Sequence, residues 1–373
     1  MVSNDWFAGV DLDKRSESIM PKHVIFLLHG MGDTRPGWSQ SLQTLIKQKY
    51  QLYKISSIKK FDQQFEFSEL NYNQFFTRHI ERWQEKASAI TTVLEASGIP
   101  SDLLARLLGY TSKTARKDFA STHVLDFILY RFMKGLKSQI IAHLSEQLVG
   151  RLNESASVPS YSVICHSLGT AVMHDVMQAN LTTPHFPLST AHGVPEVYMS
   201  VANVSRILQD SDSDVYRSAV RPRLSGNQRP YGCNQFINLA HSLDPFTRVK
   251  TFKPDWKKGA NNPLNSLKYE SYQSVGIAGL TGVNPHDFEH YLDNPDAHVP
   301  LFRALMSKRV IKDSELKTQR DAYHQRTFDG QLNTVKSAIK NIDVGAEFSL
   351  DKALAAWTEY QQLIQLQTIL LDA

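Results

Sequence analysis

Short apolar runs alternate along this chain with longer stretches in which apolar residues recur every three or four positions. Such runs are typical of strands buried on both faces of a parallel sheet, whereas the longer stretches are typical of amphipathic helices. The strands that the runs predict are residues 24–28, 65–72, 161–165, 197–202, 235–240 and 268–276. We expect the second of these to change register between Phe65/Phe67 and Leu70/Tyr72. Because strands and helices alternate, the predicted fold class is α/β, a mostly parallel sheet with helices on both faces.

Helical patterns connect these strands. The predicted helices are residues 38–50, 123–152, a segment that starts at 169, residues 299–307 and the tail 312–373. The pattern at 123–152 is the most regular, because apolar residues recur there at three and four positions over the whole length. It leads through a short polar loop into the strand at 161–165.

Residues 73–122 differ from the rest of the chain. The segment is polar and helical in pattern, and it carries one compact apolar cluster of leucines, Leu103, Leu104, Leu107 and Leu108. Two interpretations stay open: connecting helices whose leucines are ordinary core, or a helical cap over a functional site. We therefore expect an N-terminal segment (1–21), an α/β domain (22–307) with this helical insert, and a C-terminal helical extension (308–373) packed on the body.

Composition and charge narrow the class of protein. Of the 373 residues, 42% are hydrophobic and 21% charged, as in an ordinary globular protein. The net charge is only +4 and no Lys/Arg run exceeds two residues, so no nucleic-acid partner is expected. Two cysteines, Cys165 and Cys233, favour a reducing compartment over a disulfide framework. With no secretory signal pattern and no apolar run near the ~20 residues of a membrane span, we expect a cytoplasmic protein of unspecified oligomeric state.

The strand at 161–165 turns into a helical pattern within three residues, which places Ser167 at the tip of a sharp turn. There we expect the hydroxyl to be exposed beside the positive end of a helix, as a serine nucleophile requires. Gly169 fits, because a side chain there would collide with the strand as the chain reverses. The G-x-S-x-G pattern is broken only by Cys165, which stands at the first glycine. The alternative is that Ser167 is a simple N-cap.

Three other loops that follow predicted strands carry reactive groups. The glycine-rich turn after residue 28 leaves backbone N–H groups above the sheet, and Asp244 and His286 follow two later strands. Because ligands bind at the carboxyl ends of parallel strands, these groups are expected to meet Ser167 at one edge. The order Ser, Asp, His along the chain is that of α/β-hydrolases.

Four motifs make a family resemblance specific: His29-Gly30-Met31-Gly32, Cys165-His166-Ser167-Leu168-Gly169, Leu243-Asp244-Pro245-Phe246, and Asn284-Pro285-His286 followed by Tyr291-Leu292. Over residues 22–307 the chain resembles bacterial lipase-like members of the α/β-hydrolase superfamily. The resemblance implies a catalytic triad of Ser167, Asp244 and His286, with the backbone N–H groups of Met31 and Leu168 as oxyanion donors. Such a triad needs no metal and no organic cofactor.

Alternatives remain for the base. His290 and His298 compete with His286, and a zinc site is a further possibility because His286 and His290 are four residues apart. The zinc form H-E-x-x-H requires glutamate where Asp287 stands, and Asn284-Pro285 favours a loop at His286. We therefore expect His286 to be the base and no metal to be bound.

These residues predict a serine hydrolase that cleaves carboxylic esters of a small-molecule or lipid-like substrate through an acyl-enzyme. His29 and His166 are expected to support the site, because their neighbours already fill the chemical roles. One alternative is a non-catalytic interaction protein of the same fold that binds partners through its C-terminal helices. Another is an acyltransferase that uses the same triad.

Overall fold

The computed structural model describes residues 22–31, 34–78, 126, 129–131, 133–154, 160–183, 193–208, 218–223, 232–254, 271–282, 284–306 and 310–327. The predicted N-terminal segment and the leucine cluster of the insert lie outside these residues. Of the insert, only residues 73–78 are described, and they are helical. The proposed cap and the tail beyond residue 327 therefore stay predictions.

Six described strands form one sheet in which every pairing is parallel. They are β1 (His23–Leu28), β2 (Phe65–Leu70), β3 (Tyr161–His166), β4 (Val197–Val201), β5 (Gln235–His241) and β6 (Tyr272–Ile277). Their order across the sheet is β2-β1-β3-β4-β5-β6. The prediction of a mostly parallel sheet is confirmed for the described residues.

Ten helices lie wholly within the described residues, besides the helical residues 73–78, 126 and 129–131. They are α1 (Gln40–Gln51), α2 (Ile55–Ile58), α3 (Phe61–Gln64), α4 (Lys134–Asn153), α5 (Leu168–Thr182), α6 (Ser205–Leu208), α7 (Pro245–Val249), α8 (Phe288–Asp293), α9 (Pro295–Leu305) and α10 (Asp313–His324). None of these helices combines the length and apolar character that crossing a membrane demands.

Alternation along β1 divides the core into two layers. Val24, Phe26 and Leu28 face a cluster that contains the buried sides of α4 and α5. Ile25 and Leu27 face a second cluster, built with α1 and α9. Because successive side chains of a strand point to opposite faces, both faces of the sheet need a helical cover. Helices on both faces were predicted, and the two clusters confirm it.

Two details of the predicted elements are wrong. β2 is one regular strand that ends at Leu70, so Tyr72 lies beyond it rather than in a second register. The long helix does not run unbroken from residue 123, because Met133 leaves helical geometry with φ −97° and ψ 88° before α4 begins. From there the predicted apolar stripe is buried, at Leu136, Ile140, Leu144, Leu148 and Leu152.

The strand order reverses at β1, since the chain passes from β1 to β2 on one side and later to β3 on the other. At such a switch point the loops leave a crevice at the carboxyl ends of the strands. Leu28 is paired with Leu70 of β2 and with Cys165 of β3. Gly30, Tyr72 and Ser167 therefore reach the same level of the sheet, two residues beyond these partners.

Candidate active site

The turn between β3 and α5 holds Ser167 in an unusual backbone conformation. Its φ of 49° and ψ of −125° are rare for a residue with a side chain and store strain. The Ser167 N–H donates to the Val201 carbonyl at 3.0 Å, and the Ser167 carbonyl accepts from the Thr170 hydroxyl at 2.7 Å. The predicted strand-turn-helix is confirmed, and these contacts with the end of β4 and the first turn of α5 fix the serine at its tip.

Two glycines allow the chain to close around this turn. A Cβ at Gly169 would lie 2.2 Å from the His29 carbonyl oxygen, so a side chain there would collide as predicted, but with the end of β1 and not with the strand β3 that precedes the turn. A Cβ at Gly30 would lie 2.9 Å from the Ser167 Cβ. The loop after β1 therefore touches the serine directly, and any larger residue at either position would push the two apart.

Cys165 occupies the position of the missing first glycine without a clash. Its side chain is fully buried in the core, and its Sγ–H donates to the Met199 carbonyl of β4 at 3.3 Å. Burial raises the pKa of this thiol to about 12, so it stays neutral. The substitution is accommodated because the side chain has space inside the core.

Three side chains from different strand ends form one hydrogen-bonded chain. Ser167 Oγ lies 2.7 Å from His286 Nε2, and His286 Nδ1 lies 2.8 Å from Asp244 Oδ2. Ser167 follows β3, Asp244 follows β5 and His286 follows β6. The structure thus brings together all three side chains that the sequence singled out.

The network around Asp244 assigns the protons. This carboxylate, 0% exposed, also accepts from the Tyr291 hydroxyl at 2.7 Å and from the Phe246 N–H at 3.0 Å. An ionised carboxylate only accepts, so in the neutral imidazole the hydrogen is assigned to His286 Nδ1, and Nε2 then presents its lone pair to the Ser167 hydroxyl. Burial and the Asp244 charge raise the pKa of Tyr291 well above its usual value, which keeps its hydroxyl a donor.

The expectation of an exposed serine hydroxyl is wrong. Ser167 is 1% exposed and His286 8% exposed. Gly30 presses on one side of the serine, the histidine ring lies on another, and Phe246 packs on that ring at a centroid distance of 4.5 Å. The sharp turn alone suggested exposure, but the neighbouring loops close over it. The serine–histidine hydrogen bond is therefore shielded from water.

Of the two predicted oxyanion donors, Leu168 follows the serine in the chain, and Met31 follows Gly30, which touches the serine. Leu168 is the first residue of the 15-residue helix α5, where N–H groups have no partner within the helix. It is fully buried, and its N–H donates to no described residue. Met31 is only partly buried and follows Gly30 at the contact with Ser167, and its N–H likewise donates to no described residue. N–H groups without a protein partner suit a developing negative charge.

His166 supports the candidate base through its backbone. Its Nε2 donates to the His286 carbonyl at 2.7 Å, and its ring stacks on Phe288 at 4.8 Å. His290, the main alternative base, instead lies against His241, with ring centroids 5.4 Å apart. Burial, followed by the neighbouring His241, lowers the pKa of His290 to about 4. His298 instead bonds the Tyr53 hydroxyl and the Leu292 carbonyl. Of the three candidates, His286 is the one that meets the serine.

The alternative of a two-histidine metal site does not form here. His286 precedes Asp287, which is extended (φ −70°, ψ 135°) and caps α8, so His286 and His290 do not share a helix face. Both ring nitrogens of His286 are engaged by Ser167 and Asp244. Within the described ranges, no group of three or more potential ligands is assembled.

Two residues of the site were not assigned a role from the sequence. Tyr291, noted only as part of a motif, donates to Asp244. Tyr72, predicted as a strand residue, donates to the Gly30 carbonyl at 2.7 Å. No local pattern signals either role, because each depends on a partner more than 40 positions away in the chain.

Comparison with known proteins adds no identity to this geometry. No protein-family model, no curated protein and no solved structure matches the chain. The functional argument therefore depends on the arrangement of residues around Ser167.

Proposed function

We propose that this protein is a serine hydrolase of carboxylic esters, built as a member of the α/β-hydrolase superfamily. The observation that carries the proposal is the hydrogen-bonded chain from Ser167 through His286 to Asp244. A serine hydroxyl is a weak nucleophile until a neighbouring imidazole takes its proton, and here the imidazole lone pair faces that hydroxyl. The parallel sheet supports the proposal, because the three groups follow strands in the order that this superfamily uses.

Acylation begins when Ser167 Oγ attacks the ester carbonyl carbon while its proton passes to His286 Nε2. The carbonyl π electrons move to oxygen, and the oxyanion accepts hydrogen bonds from the N–H groups of Met31 and Leu168. Each such donor is worth roughly 3–4 kcal/mol of barrier lowering. Collapse of the intermediate breaks the ester C–O bond, and the leaving alkoxide takes the proton from His286.

Deacylation repeats these steps with water. His286 Nε2 removes a proton from a water molecule as its oxygen attacks the acyl carbon, and the second intermediate expels Ser167 Oγ, which recovers the proton. Asp244 stays ionised throughout. It holds the imidazole tautomer and stabilises the imidazolium that forms twice in each cycle.

A fluorophosphonate probe tests the proposal directly, since it reacts only with an activated serine. We expect covalent labelling at Ser167, located by peptide mass spectrometry, and none in Ser167→Ala. Ser162→Ala is the matched control, because it removes another buried serine hydroxyl of β3 that lies outside the chain to Asp244. Labelling of neither the parent nor the control would instead favour a non-catalytic binding protein.

The substrate range follows from kinetics on a series of p-nitrophenyl esters of increasing acyl length. We expect turnover of at least one of these esters, with loss in Ser167→Ala. Addition of an alcohol acceptor separates hydrolysis from acyl transfer: a hydrolase releases mainly free acid, whereas an acyltransferase would release mainly the new ester.

A further inference from the structure

Tyr72 holds the loop that carries the proposed oxyanion donor. Its side chain is 1% exposed, and its hydroxyl lies 2.7 Å from the Gly30 carbonyl oxygen and 3.2 Å from that of His29. Both neighbours are acceptors only, so the hydroxyl donates, and the shorter bond goes to Gly30. The sheet register explains this meeting, because Leu28 and Leu70 are paired and Gly30 and Tyr72 each lie two residues further on.

A second donor acts on the same carbonyl. His29 Nδ1 lies 2.8 Å from the Gly30 oxygen, and the His29 and Tyr72 rings stack with centroids 4.3 Å apart. If Nδ1 donates to Gly30, Nε2 must accept, and the Tyr72 N–H faces it at 3.5 Å. The Thr34 hydroxyl lies beside both ring nitrogens, 3.0 Å from Nδ1 and 3.1 Å from Nε2. The Gly30 carbonyl is thus held from two directions by groups that pack on one another.

Holding this carbonyl also orients the next N–H. The carbonyl of Gly30 and the N–H of Met31 belong to one planar, trans peptide, in which the two bonds point in opposite directions. A rotation of the peptide plane that frees the carbonyl would turn the N–H by the same angle. The Met31 N–H donates to no other residue in the described ranges, so no hydrogen bond of this N–H within those ranges resists the rotation.

We infer that Tyr72 is a positioning residue for catalysis, whose hydroxyl fixes the Gly30–Met31 peptide plane and so aims the Met31 N–H at the oxyanion. The inference depends on the proposed ester hydrolysis at Ser167. Tyr72 touches neither the substrate nor the reacting atoms. Its effect appears in the transition state, where the oxyanion forms, and not in binding of the neutral ester.

Tyr72→Phe tests this inference, because it removes the hydroxyl and keeps the ring. We expect kcat for a p-nitrophenyl ester to fall about tenfold, part of the roughly 10²–10³-fold cost of deleting an oxyanion donor, with little change in KM. An arylboronic acid, which adds to Ser167 Oγ as a tetrahedral anion, should bind about tenfold more weakly. Tyr50→Phe is the matched control, since Tyr50 is also 1% exposed and its hydroxyl also donates to a backbone carbonyl, that of Lys59, at 2.8 Å.

In the control we expect a similar loss of thermal stability with kcat and boronic acid affinity unchanged. Equal kinetics in the parent and a folded Tyr72→Phe, or equal losses in both variants, would overturn the inference. A parent that neither turns over esters nor labels at Ser167 would instead defeat the proposed function itself.

If Tyr72→Phe does not fold, His29 offers a second measurement on the same carbonyl. His29→Asn keeps an N–H donor near the Nδ1 position, whereas His29→Leu has a similar shape and no donor. We expect the leucine variant to have about tenfold lower kcat than the asparagine variant. Equal kcat in these two variants would show that hydrogen bonds to the Gly30 carbonyl do not orient the Met31 N–H.

Discussion

The two halves of the candidate site are built in opposite ways. In the acid–base half, which contains Asp244 and His286, side chains hold one another and the polar atoms have partners. In the nucleophile half, which contains Gly30, Ser167 and Leu168, the groups that must be positioned belong largely to the backbone. A strained φ, a close glycine contact and a helix start define this half, and N–H groups remain without partners among the described residues.

This difference reflects the stage of the reaction at which each half of the site carries a charge. The Asp244 carboxylate is charged and buried in the resting protein, so it needs its donors at all times. In the proposed reaction the oxyanion exists only near the transition state. Its N–H donors are therefore preorganised and have no hydrogen-bond acceptor in the resting protein among the described residues. Damage to the first half should therefore act through lost hydrogen bonds, and damage to the second through displaced backbone.

The largest expected effect comes from the link between the halves. His286→Ala should lower kcat/KM for a p-nitrophenyl ester about 10⁴-fold or more, as Ser167→Ala should, and the double variant should be no worse because the residues act as a unit. His290→Ala is the control and should keep most of the activity, since that ring lies against His241. An inactive His290→Ala beside an active His286→Ala would reverse our choice of base.

In the nucleophile half, Gly169→Ala should mainly affect stability. A Cβ there lies 2.2 Å from a backbone carbonyl, which cannot move without displacing the end of β1. We expect a loss of roughly 3 kcal/mol or more in the free energy of unfolding, measured by urea denaturation. Gly150→Ala in α4 is the control: its Cβ meets nothing within 4 Å, so the change should stabilise by about 0.5–1 kcal/mol. A Gly169→Ala variant as stable as the parent would contradict the collision.

In the acid–base half, Tyr291→Phe removes one donor to Asp244 and leaves the His241 N–H, which donates to the Tyr291 hydroxyl at 2.8 Å, without that acceptor. We expect a loss of about 1–3 kcal/mol in stability and about tenfold in kcat. Tyr161→Phe, which removes the hydroxyl bonded to the Gly193 carbonyl, should lose stability alone. Unchanged kcat in Tyr291→Phe would show that His286 and the Phe246 N–H suffice to hold the carboxylate.

The smallest expected effect is the pH dependence that His29 adds to the nucleophile half. Burial lowers its pKa to about 4, against an opposing contribution from its bond to Gly30. Between pH 4 and about 6.5 the unfolded chain therefore binds a proton that the folded chain does not, so stability rises with pH in that window. In His29→Asn, the slope of the free energy of unfolding against pH should fall by about 1.4 kcal/mol per pH unit within this window. Urea unfolding from pH 4.5 to 7 measures that slope.

His298 provides the comparison for this titration. Burial also lowers its pKa to about 4, but it bonds Tyr53 on the other side of the sheet from the α5 cluster. In His298→Asn, the free energy of unfolding should also depend less steeply on pH in this window, and kcat should be unchanged. A slope that is unaffected by His29→Asn would mean that His29 does not titrate in this range.

Local features of the sequence determined much of the sheet and the nucleophile turn. The apolar runs from Val24 and from Tyr161 became β1 and β3, because a strand covered on both faces is apolar at most positions. Ser167 was recognisable because its strand, turn and helix are contiguous, and Gly169 marks the close approach. The order of serine, aspartate and histidine at strand ends likewise predicted which groups would meet.

Only the tertiary structure decided how these groups are held and shielded. Ser167 and His286 are separated by 119 positions, and the pairing of strands, not any local pattern, brings them to 2.7 Å. The same pairing sets Tyr72 beside Gly30 and closes neighbouring loops over a serine that the sequence had suggested was exposed. Such contacts depend on register and strand order, whose energetics are spread over the whole core. A propensity or a short motif depends only on neighbours within a few residues, so it does not predict these long-range contacts.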